Sequence, residues 1–336
     1  MQFRRLGRTG IQVSALSFGA GPISTLMIGD DARRQREVIS HAIQSGVNWF
    51  DTAATYGNGQ SETSLGQALA ELDARSRVHV ATKVRLQGED VHDIGGAVER
   101  SIEASLQRLA LPRVTLLQLH NSVTAKRGDE PTSITPADVL GSQGVLRAVE
   151  RLQSAGLVQH LGLTGMGQPA ALREVVASGQ FDTMQVPYHL LNPSAGWEYR
   201  GRTAQPCYGN IIADCARQDM GVFAIRVLAG GALVGNPPSP HTLKTPFFPL
   251  TLYERDAARA RRLVEMFGEA ESRASLAVRF AVSHPNIHSA IIGWGDVDQI
   301  DVALKALQGV PTRLNWDDVL QALEQPSLSP PSPPTS

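Results

Sequence analysis

Asn48-Trp49-Phe50-Asp51-Thr52-Ala53-Ala54-Thr55-Tyr56-Gly57 reads as the end of a buried strand entering a turn. Val47, Trp49 and Phe50 favour a pleated, half-buried strand. Gly57, Asn58 and Gly59 favour a turn. A carboxylate and a phenol are thus delivered to the point where a strand gives way to a loop. The spacing predicts that Asp51 and Tyr56 share one site.

Outward from this stretch, short apolar runs alternate with amphipathic segments. Residues 3–19 predict a hairpin turning at Gly7 and Thr9-Gly10, with 13–18 as a strand. Val38, Ile39, Ala42 and Ile43 share one helical face, closed by Gly46. Ser61 is expected to cap a helix carrying Leu65, Leu69 and Leu72. Strands are expected at 78–82, 114–119, 157–163, 181–186, 221–225 and 289–292. Helices are expected between them, among them the stripe Ile94, Val98, Ile102, Leu106 and Leu109, stopped near Pro112. The pattern amounts to roughly eight strand–helix units, which parallel strands with crossover helices close most simply. The expected fold class is α/β, a (β/α)8 TIM barrel with an N-terminal β-hairpin, one domain over residues 1–325. A doubly wound sheet is the competitor, and no G-x-G-x-x-G follows the first strand to support it. Residues 326–336 are Pro/Ser-rich and expected to be a disordered tail.

Composition agrees with that size of fold. The 336 residues are 42% hydrophobic and 19% charged, enough for a large core and against global disorder. A net charge of -1 without a long basic run argues against nucleic acid or an anionic membrane as main partner. No apolar stretch reaches the length of a bilayer span. Cys207 and Cys215 form no CxxC pair, and Met1 to Leu6 lack a signal-peptide pattern, so a reduced, cytoplasmic protein is expected. His284 and His288 have i, i+4 spacing, but Pro285 argues against a helical metal pair, and no metal is expected. Arg259, Arg261 and Arg262 are expected on a solvated helix face. The oligomeric state is not legible.

In an eight-unit barrel, chemistry sits at the C-terminal strand ends. Asp51, Lys83 and His120 close consecutive predicted strands, with Tyr56 a short loop away. Singly, each has an ordinary explanation: a turn aspartate, a rim lysine, a structural histidine. Together they suit proton delivery by a phenol. Free tyrosine, with a pKa near 10, exchanges its proton poorly at neutral pH. A neighbouring ammonium favours the phenolate. Lys83 would be that ammonium, Asp51 would orient it, and His120 would donate to a substrate oxygen. Such a quartet fits a carbonyl that gains hydride at carbon and a proton at oxygen, and hydride requires a cofactor.

Phe50-Asp51-Thr52-Ala53-Ala54-Thr55-Tyr56-Gly57, then Ser61-Glu62 and Leu65-Gly66, resembles the signature of the aldo-keto reductases. Leu6-Gly7-Arg8-Thr9-Gly10, Lys83, His120, Gln185 and Ile291-Ile292-Gly293 match too, so the resemblance covers about residues 3–310. It implies a (β/α)8 barrel, an extended nicotinamide cofactor without a Rossmann fold, and Tyr56 as general acid assisted by Asp51, Lys83 and His120. It further implies cofactor contacts from Gly19, Thr164, Gln185, Ile225, Leu228, Gly293, Asp296 and Gln299; Arg226 stands where a small residue is usual, and is expected either to pair with a cofactor phosphate or to be a rim arginine. Met27 is expected on the apolar wall; Trp197, with Tyr199, Arg200 and Arg202, lies in a loop that either lines a substrate pocket or, as such loops more often do, is simply solvated. The second half departs from the family pattern. Thr164-Gly165 stands where a Ser-Asn pair is usual, and Ile225 where a stacking tyrosine is usual. The segment from Gly293 to Gln299 lacks the cation that NADP-preferring members often carry there, and Asp296 would repel a phosphate. The family default keeps NADP(H) modestly ahead of NAD(H). The leading expectation is a carbonyl/alcohol oxidoreductase acting on a small molecule. A cofactor-sensing regulatory subunit with little turnover is the alternative. A lyase using Lys83 as a Schiff base is disfavoured by Asp51 beside it.

Overall fold

A computed structural model describes residues 1–197, 206–267, 270–308 and 316–324. The tail at 326–336 and the loop residues Tyr199, Arg200 and Arg202 lie outside the described residues. Eight parallel strands close into a barrel: β1 (Leu16–Gly19), β2 (Trp49–Asp51), β3 (His79–Val84), β4 (Val114–Leu119), β5 (Val158–Thr164), β6 (Thr183–Pro187), β7 (Gly221–Ile225) and β8 (Ser289–Ile292). β8 pairs with both β1 and β7, which completes the ring. Every residue of β4 is buried, as expected where helices cover one face and the barrel interior the other. No helix among the described residues is long and apolar enough to cross a membrane.

The two-residue period of a strand decides which side chains enter the barrel. On β2, Phe50 points outward and stacks on Phe18, while Trp49 and Asp51 point inward. Register carries the inward set around the ring, pairing Ala81 with Leu116, Lys83 with Gln118, Gln118 with Gly162 and Thr164 with Gln185. The lower layer is apolar: Trp49 lies 4.8 Å from Phe223, with Ala81, Leu116 and Leu6 against them. Ser17 and Ser289 satisfy one another beside it at 2.6 Å, and the charged side chains enter in the layer above.

The hairpin pairs Phe3–Arg5 with Gln12–Ser14 and drives Leu6 into the floor of the barrel. A side chain on Gly221 would collide with Leu6, so β7 keeps a glycine where the plug enters. The single strand expected at 13–18 divides at Ala15. Ser14 causes the break: its N–H donates to Asn48 at 2.8 Å and its hydroxyl to the Leu16 carbonyl at 2.7 Å. The helix 60–71 begins at Gly59 rather than at a capping Ser61. Ser61 is buried and instead ties Thr52 (2.8 Å) to the Ala20 carbonyl (2.7 Å). Arg259 leaves its expected solvated face, because its Nη1 donates to the Leu191 carbonyl at 2.5 Å. Two helices escaped the periodicity, Pro136–Leu140 and Trp316–Glu324.

Candidate active site

Three consecutive strands and one loop build the polar layer at the barrel mouth. Lys83 is the hub. Its ammonium forms an ion pair with Asp51 Oδ1, donates to the Thr52 carbonyl at 2.7 Å and reaches Tyr56 Oη at 3.4 Å. The side chains of Lys83 and Asp51 are only 1% and 5% exposed, so bulk water barely screens the pair. Gln185 Nε2 donates to the second carboxylate oxygen of Asp51 at 2.5 Å. Burial pushes the Asp51 carboxyl up, and Lys83 and Gln185 pull it back. Burial alone would lower the Lys83 pKa, but Asp51 and Tyr56 outweigh it and hold the ammonium above its ordinary range.

Tyr56 arrives on a loop fixed at both ends. Ser61 locks Thr52, and the Tyr56 N–H donates to the Ala53 carbonyl at 3.1 Å. Beyond it, Gly57 and Asn58 adopt left-handed backbone (φ 56° and 52°), which reverses the chain into the next helix. Glu62, fully buried, anchors that helix through Thr82 and Arg108. The imidazole of His120 meets the Tyr56 ring edge-on, 5.8 Å between centroids at 82°. Burial first, then Arg85 and Lys83, drive the His120 pKa well below its ordinary value, so the ring is neutral at pH 7. Its Nδ1 is enclosed and has no partner among the described residues.

These groups stand at one end of a cavity of about 950 Å³ that runs across the mouth to β8. Gly19, Thr164, Gln185, Ile225, Arg226 and Leu228 line it, as do Gly293, Asp296 and Gln299 beyond β8. An elongated ligand touching all of them would lie across the barrel top. The hydroxyls of Thr164 and Ser24, both on the cavity wall, are buried without hydrogen-bond partners among the described residues. A side chain on Gly293 or Gly295 would meet nothing closer than 3.5 Å, so the backbone there is open to a ligand.

The aldo/keto reductase family model matches residues 15–319. The chain belongs to the aldo/keto reductase family. It is 27% identical to a probable voltage-gated potassium channel subunit beta from Arabidopsis thaliana, over 100% of this chain and 99% of that protein. It is 26% identical to L-galactose dehydrogenase from the same plant, over 91% and 88%. A solved aldo-keto reductase from Bacillus halodurans, in its holo form, superposes with a TM-score of 0.69 over 97% of each chain at 20% identity, a likeness of fold.

Aldo-keto reductases work with nicotinamide dinucleotides, and the unpartnered hydroxyls and open glycines suit such a group. Gln185, expected at the cofactor, lines the cavity but commits its amide nitrogen to Asp51. Gly165 replaces the usual asparagine for a packing reason: a Cβ there would sit 3.0 Å from both Met184 Sδ and Val186 Cγ1. Asp296 caps the helix Val297–Gln308, accepting from the Gln299 N–H at 2.9 Å. Arg34 Nε donates to the neighbouring Gly295 carbonyl at 3.0 Å, so a cation does reach this segment, from the first helix.

Two expected substrate residues are elsewhere. Met27 is fully buried beneath the wall. Thr25, with a φ of 59°, turns the chain so that Ile23 and Ser24 line the cavity while Met27 faces the core. Trp197 packs on the core and donates from Nε1 to Tyr188 Oη at 2.7 Å, away from the cavity wall. His284 and His288 diverge, to the Gly196 carbonyl and the Val222 N–H. Sequence reasoning overlooked Arg85, Gln118, Phe247 and Phe248. The first two repeat the inward period of Lys83 and His120 and were accessible by counting. The phenylalanines lie in an irregular loop that offers no periodicity.

Proposed function

We propose that this protein is an NAD(P)H-dependent oxidoreductase that reduces an aldehyde or ketone to the alcohol, or runs the reverse oxidation on an alcohol or sugar. The observation that supports it best is the Lys83 ammonium, held between Asp51, the Thr52 carbonyl and Tyr56 Oη. When bound, the dinucleotide supplies hydride to the carbonyl carbon. Tyr56 Oη gives its proton to the carbonyl oxygen. Lys83, 3.4 Å away, stabilises the negative charge left on the phenol oxygen. Asp51 keeps Lys83 charged and aimed. Neutral His120, beside the Tyr56 ring, donates an N–H to the same carbonyl oxygen and orients it. In the oxidative direction Tyr56 takes the proton back.

In this reading Thr164 and Gln185 hold the nicotinamide carboxamide, and Ile225 covers one face of the ring. Arg226 and Leu228 serve the phosphates, and Gly19, Gly293, Asp296 and Gln299 enclose the remainder. NADP(H) stands ahead of NAD(H) because Arg34 brings a cation beside Asp296, whose carboxylate is engaged as a helix cap. A second reading, a cofactor-binding regulatory subunit with little turnover, draws support from the relative named as a channel beta subunit and from Ile225 in place of an aromatic ring.

The experiment is Tyr56→Phe, assayed on a panel of aldehydes, ketones and aldoses with NADPH and NADH in parallel. Turnover should fall by about 1,000-fold, the scale of a lost general acid, with cofactor affinity nearly unchanged. Unchanged turnover in that variant rejects the role of Tyr56. No turnover by the natural protein on any carbonyl, with tight cofactor binding, selects the regulatory reading.

A further inference from the structure

Charge does not cancel at the reacting end of the cavity. Asp51 and Lys83 neutralise one another, and His120 is neutral. Arg85 remains. It lies two residues beyond Lys83, on the same inward face, and lines the cavity beside Tyr56 and His120. Its Nε is enclosed and has no partner among the described residues. Its Nη2 makes only a long contact, 3.4 Å, to the His120 carbonyl. One face of the guanidinium stacks on Phe247, with Cζ 4.0 Å from the ring centroid. Among the described residues no carboxylate pairs with it. A guanidinium does not shed its proton in a protein, so this one stays charged although half-buried. Burying a charge without a counter-ion is costly. The missing partner is one the fold leaves for something that enters the cavity.

We propose that Arg85 is a specificity-determining residue that binds a carboxylate on the substrate, so that the preferred substrate is a short oxo-acid. The inference rests on the oxidoreductase reading above, since it assigns the carbonyl end of the same molecule to Tyr56 and His120. Phe247 covers one face of the guanidinium and fixes its plane. The N–H edge stays available, and a planar carboxylate meets such an edge with two parallel hydrogen bonds. The dinucleotide phosphates have a separate cation, Arg226 just beyond β7, stacked in the same manner on Phe248 at 4.0 Å. The two arginines thus divide two anions between opposite sides of the mouth.

The test compares 4-oxobutanoate with its uncharged isostere 4-oxobutanamide in the natural protein and in Arg85→Met, which keeps the apolar stem. The natural protein should prefer the acid by about 100-fold in kcat/KM, the scale of one desolvated charge pair. In Arg85→Met the ratio should fall to about one, and Arg85→Lys should restore part of it. A second readout needs no turnover. Calorimetry of the protein loaded with NADP+ should detect succinate binding in the natural protein and none in Arg85→Met. A natural ratio near one, or a preference for the amide, overturns the proposal. So does a ratio that survives Arg85→Met, or a variant that loses cofactor affinity and keeps its preference. If no carbonyl is turned over but succinate binds through Arg85, the oxidoreductase reading fails and the anion site stands.

Discussion

Lys83→Met is the substitution that separates chemistry from architecture at the barrel mouth. In the folded protein the Lys83 ammonium lies 3.4 Å from Tyr56 Oη. At an effective dielectric near 20, a unit charge at that separation stabilises a developing phenolate by about 5 kcal/mol. Asp51 carries the opposite charge and cancels part of this. About half surviving gives about 2 to 3 kcal/mol, or a loss of about 100-fold in kcat. The same substitution strands Asp51, whose carboxyl burial already pushes upward. Breaking a buried pair from one side costs about 3 to 5 kcal/mol of stability. Stranded Asp51 would have a folded pKa above its unfolded one, so the variant should lose further stability as pH rises through the unfolded value towards the folded value. The control is Asp51→Asn combined with Lys83→Met, in which neither charge of the pair is left stranded. Thermal melts should show the double variant recovering most of the lost stability. Initial rates with a good carbonyl substrate should show no recovery of turnover. A double variant that regains kcat, or a Lys83→Met enzyme within about threefold of the natural rate, refutes the assignment of the ammonium to the phenol.

Gln185→Leu should weaken the protein without stopping it. Asp51 Oδ2 would lose its 2.5 Å donor and keep only Gln118 at 3.5 Å, a deficit of about 1 to 3 kcal/mol in a thermal or urea melt. An unchanged melt would show that Asp51 does not depend on Gln185. Acid should destabilise the fold well before carboxylates titrate. His120 and His189 are buried, with pKa values driven well below the ordinary histidine value, by burial first and by neighbouring cations second. Their neutral forms are favoured in the fold, so the stability they contribute is present above the unfolded pKa and is lost as pH falls below it towards the folded values. Each should cost about 1.4 kcal/mol per pH unit in that window. A flat urea midpoint between about pH 6.5 and 5 would contradict this.

The barrel was legible because its determinants are local. Alternating apolar runs, helix stops at glycine and the count of strand–helix units need no tertiary information, and eight strands close as expected. The misreadings arose where a polar side chain overrode propensity. Ser14 bends the chain between hairpin and barrel by bonding its backbone neighbours, and Ser61 leaves the helix cap to hold Thr52. Arg259 belongs to a charged helix stripe by sequence yet reaches a carbonyl of the loop at Leu191. Met27 looked like a wall residue because it follows the first strand at the right distance, but one left-handed residue, Thr25, rotates the turn and buries it.

At the site, the split between what could and could not be read follows the direction of the chain. Asp51, Lys83 and His120 lie at the ends of consecutive strands, so topology alone brings them together, and Tyr56 is close along the chain. The period that points Lys83 inward points Arg85 inward too, and the period of His120 gives Gln118. What no period reveals is whether an inward cation has a partner, since that depends on every element facing it. For Lys83 the partner is Asp51, from the adjacent strand. For Arg85 the facing element is the loop of Phe247 and Phe248, which brings aromatic faces to Arg85 and Arg226 and no carboxylate to either. A ring face can hold a guanidinium in place, but it cannot neutralise it. The first half of the barrel therefore carries an internally balanced ion pair. The loop from the second half meets Arg85 and Arg226 with aromatic faces and offers neither a carboxylate. An oxidoreductase of this kind would be tuned to anions, one from the cofactor and one from the substrate.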